Sequence, residues 1–214
     1  MKPTTPVFLC VFYICLFSGC ARPFQSPDYE TLKKTHRNIA ILPVDFTYDP
    51  HHLPPKIAFE DVLKNEIQQS YLLQEQIYAT LLAKSKGDPN YYHIKIQPIQ
   101  QTNRLLKEQG MGFPDYRTYS FEKIAQLLEV DALYVISVNS SFYVPMGITT
   151  AFQLISPIYP VSGDAFYTVD LIHGSEGRKI KSANGYIQRM HFLQGKNYTS
   201  KIVIKSARKA FPYK

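Results

Sequence analysis

Ser120–Val138, SFEKIAQLLEVDALYVISV, decides the fold. Phe121, Ile124, Ala125 and Leu128 fall at i, i+3, i+4 and i+7, one apolar helical face, and Ser120 stands before it as an N-cap. After Glu129, Val130 and Asp131 the pattern changes to Ala132, Leu133, Tyr134, Val135, Ile136 and Val138. That β-prone run is of the kind buried on both faces of a mixed or parallel sheet. The stretch predicts a short amphipathic helix feeding a central strand.

Upstream, Asn38–Phe46, NIAILPVDF, is a second apolar run, and Pro43 interrupts it. Proline has no ladder donor, so the strand ends near Leu42 or bulges there. Thr47–Lys56 is a proline-rich loop carrying His51-His52. A helix is expected from Ile57, with Glu60 and Asp61 in its first turn and Lys84 and Lys86 near its last, as the helix dipole prefers. Phe59, Val62, Leu63 and Ile67 form an inward stripe that Leu73, Ile77 and Leu81 continue, with a kink or change of partner at Gln68-Gln69-Ser70. Gly87–Asn90 stops the helix. Tyr91–Ile99, YYHIKIQPI, alternates as a half-exposed strand, and two strands joined through a helix imply a right-handed crossover and parallel pairing. Thr102 is placed to cap a short helix through Gln109, and Gly110–Pro114 breaks it.

Downstream, Asn139–Tyr143 stays extended and Pro145–Gly163 is apolar, uncharged and interrupted by Pro145, Pro157 and Pro160. It is far longer than the usual connection of about 4–6 residues, and long connections in compact domains are functional or disordered. Its composition is that of something buried. It is expected to fold over an edge of its own sheet or to dock on a neighbouring subunit, as in a homo-oligomer, or on an outer-membrane component, through Met146, Phe152, Leu154, Ile155, Ile158 and Tyr159. Asp164–His173 and Lys179–Gln188 read as an antiparallel hairpin about the turn Gly174–Gly177. Thr199–Phe211 is a closing helix, with Val203, Ala207, Ala210 and Phe211 inward and Lys201, Lys205, Arg208 and Lys209 outward. The fold class is therefore α/β: a mixed sheet of about five strands, parallel in its first part, closed by an antiparallel hairpin and backed by helices.

Residues 1–19 read as a secretion signal, with Lys2 at the positive end, the apolar core Val7–Phe17, and Ser18 and Gly19 before Cys20. That core is too short to span a bilayer, which takes about 20 residues. Leu16-Phe17-Ser18-Gly19-Cys20 resembles the bacterial lipobox, with Phe17 where Leu is usual, so Cys20 is the expected lipidation site. Cys10 and Cys15 leave with the signal, which leaves no internal disulfide and no thiolate metal site. Ala21 follows Cys20, rather than the Asp that favours inner-membrane retention in enterobacteria; the analogy points to the outer membrane.

Of 214 residues, 195 remain after removal of 1–19, enough for one domain with a sizeable core. The organisation is 1–19 signal peptide, 20–37 lipidated cysteine and tether with one helical turn at Tyr29–Lys34, and 38–214 a single α/β domain. The net charge of +7, or +6 without Lys2, could favour anionic headgroups or cell-wall polymer, and basic residues are too scattered to argue for nucleic acid.

Arg37–Asp45, RNIAILPVD, soon after a lipobox cysteine, and Leu128–Tyr134, LEVDALY, resemble a group of bacterial lipoproteins. The group comprises the curli-secretion lipoproteins, the penicillin-binding-protein activator lipoproteins and neisserial surface lipoproteins. The hairpin and final helix match it in order. The resemblance implies a domain like the amino-terminal domain of TolB, anchored in the outer membrane and facing the periplasm, with a noncatalytic scaffold or partner-binding role in envelope assembly or secretion. The three prolines of 145–163 depart from the pore-forming members of the group, whose membrane hairpins they would disrupt.

The rival class is an envelope hydrolase. His51-His52 with Asp49 could ligate zinc but lack a third ligand, and read better as a solvated loop. His173 and His191 could act as bases, yet no Gly-x-Ser-x-Gly elbow, paired-carboxylate signature or P-loop accompanies them. The cationic residues of the last helix could meet headgroups and are more simply a solvated face; the 16 tyrosines could stack on carbohydrate and are more simply core. No cofactor and no metal are expected.

Overall fold

Strands β1 (Phe24–Gln25), β2 (Asn38–Ile41), β3 (Asp45–Tyr48), β4 (Lys95–Ile96), β5 (Ala132–Ser140), β6 (Ala165–His173) and β7 (Arg178–Ile187) form one mixed sheet. The helices are α1 (Tyr29–Thr35), α2 (Phe59–Ser85), α3 (Ile99–Glu108), α4 (Phe121–Leu128) and α5 (Tyr198–Ala210). They belong to a computed structural model that describes residues 23–53, 58–85, 94–141, 164–187 and 198–213. The strand order is β1-β7-β6-β5-β2-β4, with β3 also paired to β5. β2 is parallel to β4 and β5, β3 is parallel to β5, and β5-β6-β7 is an antiparallel meander closed by β1.

The quoted stretch folds as read. Ser120 caps α4 by accepting from the Lys123 amide at 3.3 Å, and Ile124, Ala125 and Leu128 are buried. β5 sits at the centre of the sheet, and Ala132–Ile136 lie between two apolar layers. Alternate residues Ala132, Tyr134, Ile136 and Val138 meet one layer, built with Val62, Leu73, Ile77 and Leu81 of α2 and Val203 and Ala207 of α5. Leu133 and Val135 meet the other, built with Leu106 of α3 and Ile124, Ala125 and Leu128 of α4. Beyond Val135 that second face carries Ser137 and Asn139, and Asn139 is exposed.

Pro43 interrupts its strand as expected. Ile41 pairs with Tyr134 and Asp45 with Ser137, four steps on one strand against three on the other, so one extra residue is inserted. The insertion reverses which residues face inward: Ile39 and Ile41 meet the α2/α5 layer before it, Phe46 and Tyr48 after it. A strand has a side-chain period of two, so a single bulge turns the remaining residues over. Proline, having no N–H, costs no ladder bond at that place.

Several expectations are corrected. The sheet has seven strands rather than about five, because Pro43 splits one and the expected tether contributes another. The helical turn expected at Tyr29–Lys34 forms, as α1, but the segment is not a free tether over residues 24–37: Phe24 pairs with Ser182 and Gln25 with Lys181, and Tyr29 is buried. Arg178 holds α1 in place by a 2.5 Å bond to Asp28, whose carboxyl it draws well below the usual range. Burial pushes the Tyr29 hydroxyl up to about 12. α2 is one helix through Gln68–Ser70, where Ser70 is buried, and Gln74 one turn on is buried and donates to the Ile41 carbonyl at 2.8 Å. Phe59, expected inward, begins the helix and is 74% exposed. Of the expected 91–99 strand, residues 91–93 lie outside the described residues, and among the described ones Lys95–Ile96 pair. Thr102 is not a cap; α3 starts at Ile99, and the buried Thr102 hydroxyl donates to Gln97 Oε1 at 2.7 Å.

The hairpin turn is pressed against the start of β5. Gly174 donates to the Asp131 carbonyl at 2.8 Å, and a Cβ there would lie 2.8 Å from the Val130 oxygen and 2.9 Å from both Ala125 Cβ and the Asp131 oxygen. Backbone atoms cannot yield as a flexible side chain would. Gly174→Ala is expected to lower stability by about 1–3 kcal/mol, the usual cost of overpacking. Urea unfolding checks it, with Ser175→Ala, one residue on and exposed, as the comparison.

Candidate functional site

Four polar side chains are strung together at the end of the sheet where β5 begins. Ser175 Oγ lies 2.9 Å from His173 Nε2, His173 Nδ1 lies 2.8 Å from His36 Nε2, and His36 Nδ1 lies 2.5 Å from the Tyr213 hydroxyl. The two imidazoles stack, with centroids 5.1 Å apart and 23° between planes. His36 stands at the carboxyl cap of α1, His173 ends β6, and Tyr213 follows α5. Three distant parts of the chain meet here.

The hydrogen bonds admit two consistent directions. Ser175 donates to His173, His173 to His36 and His36 to Tyr213, or every bond reverses, because each neutral imidazole offers one donor and one acceptor. His36 is only 3% exposed. Burial first, and the neighbouring His173 second, lower its pKa to about 4, while the Asp131 carboxylate acts in the opposite sense. Burial also pushes the Tyr213 hydroxyl far above its usual range. Asp131 itself is committed elsewhere: Oδ2 accepts from the Arg37 and Asn38 amides at 2.7 and 2.8 Å, and its own amide donates to the Asn38 carbonyl at 2.8 Å. The aspartate of the LEVDALY motif thus laces the start of β2 to the start of β5.

Of the histidines singled out in the sequence, only His173 enters this chain; His191 lies outside the described residues. His36 and Tyr213 were not foreseen, since one fell in the expected tether and the other follows the last helix. Their only local signal is that His36 and Arg37 directly precede the apolar run of β2. Asp49 accepts from the His51 amide at 3.0 Å and caps a 3-10 turn at Pro50–His52; the His52 side chain lies outside the described residues. Among the described residues no three His, Cys, Asp or Glu side chains converge as metal ligands. On α5, Lys201, Lys205 and Lys209 are exposed and Arg208 is half-buried. Met146, Phe152, Leu154, Ile155, Ile158 and Tyr159 lie outside the described residues, as does Cys20.

The opposite end of the sheet presents a row of side chains on the α3/α4 face beyond those helices. Thr47 pairs with Asn139, Asn139 with Phe166, and Phe166 with Tyr186. Phe166 and Tyr186 are 46% and 57% exposed. Next to the row, Ser141 and Asp164 are clamped: the Ser141 amide donates to the Asp164 carbonyl at 2.8 Å and the Asp164 amide donates to Ser141 Oγ at 2.6 Å. The end of β5 and the start of β6 are thereby tied together at Ser141 and Asp164.

No family model matches the chain, and no curated protein matches it. Among solved structures it is similar to lipoprotein GNA1162 from Neisseria meningitidis, at 14% identity and a TM-score of 0.44 over 79% of this chain and 91% of that one. It is similar to the LpoB C-terminal domain from Salmonella enterica at 11% identity and a TM-score of 0.37, over 71% and 82%. The PelC dodecamer from Paraburkholderia phytofirmans gives 12% identity and 0.36, over 82% and 89%. A neisserial lipoprotein and LpoB fall in the lipoprotein group that the sequence motifs resemble. A likeness of this degree carries nothing of those proteins' partners or assembly to this chain.

The His36 environment has a measurable consequence. The fold keeps His36 neutral down to about pH 4, whereas an unfolded histidine takes up its proton near 6.5. Between those values the unfolded chain binds more protons, so stability falls as pH falls, by about 2 kcal/mol once water's access to the half-buried His173 is allowed for. Urea midpoints at pH 7.5 and 4.5 measure it. His36→Phe is expected to be less stable at pH 7.5 and to lose less on acidification; an unchanged pH slope would refute the assignment.

Proposed function

We propose that this protein is an outer-membrane lipoprotein, anchored by lipid on Cys20, whose α/β domain faces the periplasm as a noncatalytic partner-binding subunit in envelope assembly or secretion. The observation that carries it is the sequence LFSGC after a short apolar core, followed within four residues by the first strand. That short distance supports a folded module held against a membrane. Ala21 after Cys20 supports the outer membrane. The partner-binding element is the segment 145–163, with Met146, Phe152, Leu154, Ile155, Ile158 and Tyr159; its apolar, uncharged composition and its length support this. Cys20→Ala is expected to move the protein from the membrane to the soluble fraction, and the wild type to band with outer-membrane markers on a density gradient. A variant as membrane-bound as its parent defeats the anchoring.

One observation favours the hydrolase: the Ser175 hydroxyl 2.9 Å from His173 Nε2, with His36 behind it. Against it, Asp131, the carboxylate that acts on His36, is taken up by backbone amides, and Ser175 stands on an exposed hairpin turn. A fluorophosphonate probe is expected to leave Ser175 unlabelled. Labelling that disappears in Ser175→Ala would establish the enzymatic reading instead.

A further inference from the structure

β1 opens at Phe24, four positions after Cys20, where a tether of 17 residues was expected. Four steps of fully extended chain reach at most about 14 Å. Lipid on Cys20 would therefore hold the β1 edge of the sheet within the depth of a headgroup layer, with no room for a domain that swings free. Pro23, Phe24 and Gln25 are all exposed and uncharged, and Phe24 shows 51% of its surface. Its cross-strand neighbour is the small Ser182, so the ring has no large side chain beside it in the ladder. Cations lie around this edge. Lys181, opposite Gln25 and so on the other face from Phe24, and Lys33 approach the Tyr29 ring at 5.1 and 5.4 Å; Lys33 also pairs with Glu30 at 3.2 Å, and Lys179 of β7 with Asp170 at 2.6 Å. An exposed aromatic on a strand edge with lysines nearby, at the point where the chain runs to a lipid anchor, matches the layered chemistry of a bilayer surface.

We propose that the β1 edge, centred on Phe24, is a membrane-contact surface whose partner is the lipid bilayer that carries the Cys20 lipid. The proposal rests on the lipidation reading above. It fixes the orientation of the domain: β1 and β7 lie toward the membrane and β2 and β4 away from it.

The chain contains no tryptophan, so Phe24→Trp introduces a single fluorescent reporter. The lipidated full-length product is reconstituted in phosphatidylethanolamine/phosphatidylglycerol vesicles with brominated acyl chains. The reporter at position 24 is expected to shift to the blue and lose intensity on incorporation, and Gln25→Trp repeats the measurement at the neighbouring residue. Phe59→Trp, at the start of α2 on the far side of the sheet, is expected to do neither. Emission at both edge positions that matches position 59 overturns the proposal. So does an equal blue shift of the reporter in the Cys20→Ala protein in buffer free of lipid and detergent, which would assign the edge to a protein contact such as a second copy. Failure of the lipidation reading shows separately, as vesicle retention of Cys20→Ala, and removes the premise; Cys20-dependent retention with an unquenched edge defeats this proposal alone.

Discussion

The pairing of β5 with β2, β3 and β6 is the constraint on which the rest of the structure depends. A strand flanked on both sides and covered on both faces has no freedom of register, because a slip of one residue would move Tyr134 and Ile136 out of one apolar layer and Leu133 and Val135 out of the other. The bulge at Pro43 is tolerable only against so fixed a partner. It lets one segment of chain serve β5 twice, with opposite residues facing inward before and after. Tyr134 adds a bond from its hydroxyl to the Ala207 carbonyl at 2.5 Å and an edge-on contact with Phe211, so the central strand also positions the last helix.

The two ends of the sheet are finished differently. Where β5 begins, polar groups are used up in joining chain segments: Asp131 binds the Arg37 and Asn38 amides, Gly174 packs on the α4–β5 connection, and His36 links His173 to Tyr213. The His36 imidazole, held neutral by burial, suits a tie rather than a base, since a base must accept a proton near the working pH. Where β5 ends, the α3/α4 layer stops short and Asn139, Phe166 and Tyr186 are left exposed. Near that end a half-buried cluster forms. Arg117 pairs with Asp45 and lies 4.5 Å over the Phe113 ring, and Glu66 accepts from the Tyr48 amide at 2.8 Å. Burial raises the Glu66 pKa, opposed by that bond and by Arg117.

Much of this was legible in the chain. The helix and strand of 120–138, the interruption at Pro43, the hairpin about Gly174–Gly177 and the inward residues Val203, Ala207 and Phe211 follow from periodicity and turn chemistry, which are local properties. The misreadings fell where local signals are weak. Phe24-Gln25 is too short a strand to show a period, and it exists because β7 offers an unpaired edge. Thr102 has the chemistry of a cap but is spent on Gln97, and Phe59 has the hydrophobicity of a core residue but precedes the point where α2 reaches the sheet.

By itself the sequence determined the α/β class, the parallel-then-antiparallel order of strands and the signal-like amino terminus with Cys20, because each is written in hydrophobic period, breaker residues or a short contiguous motif. Only the tertiary structure decided that residues 24–37 belong to the domain and that His36, His173 and Tyr213 meet across 177 positions of chain. The physical reason is the same in both cases: these contacts depend on which strand edge and which buried polar atom stand opposite, and no local pattern records that.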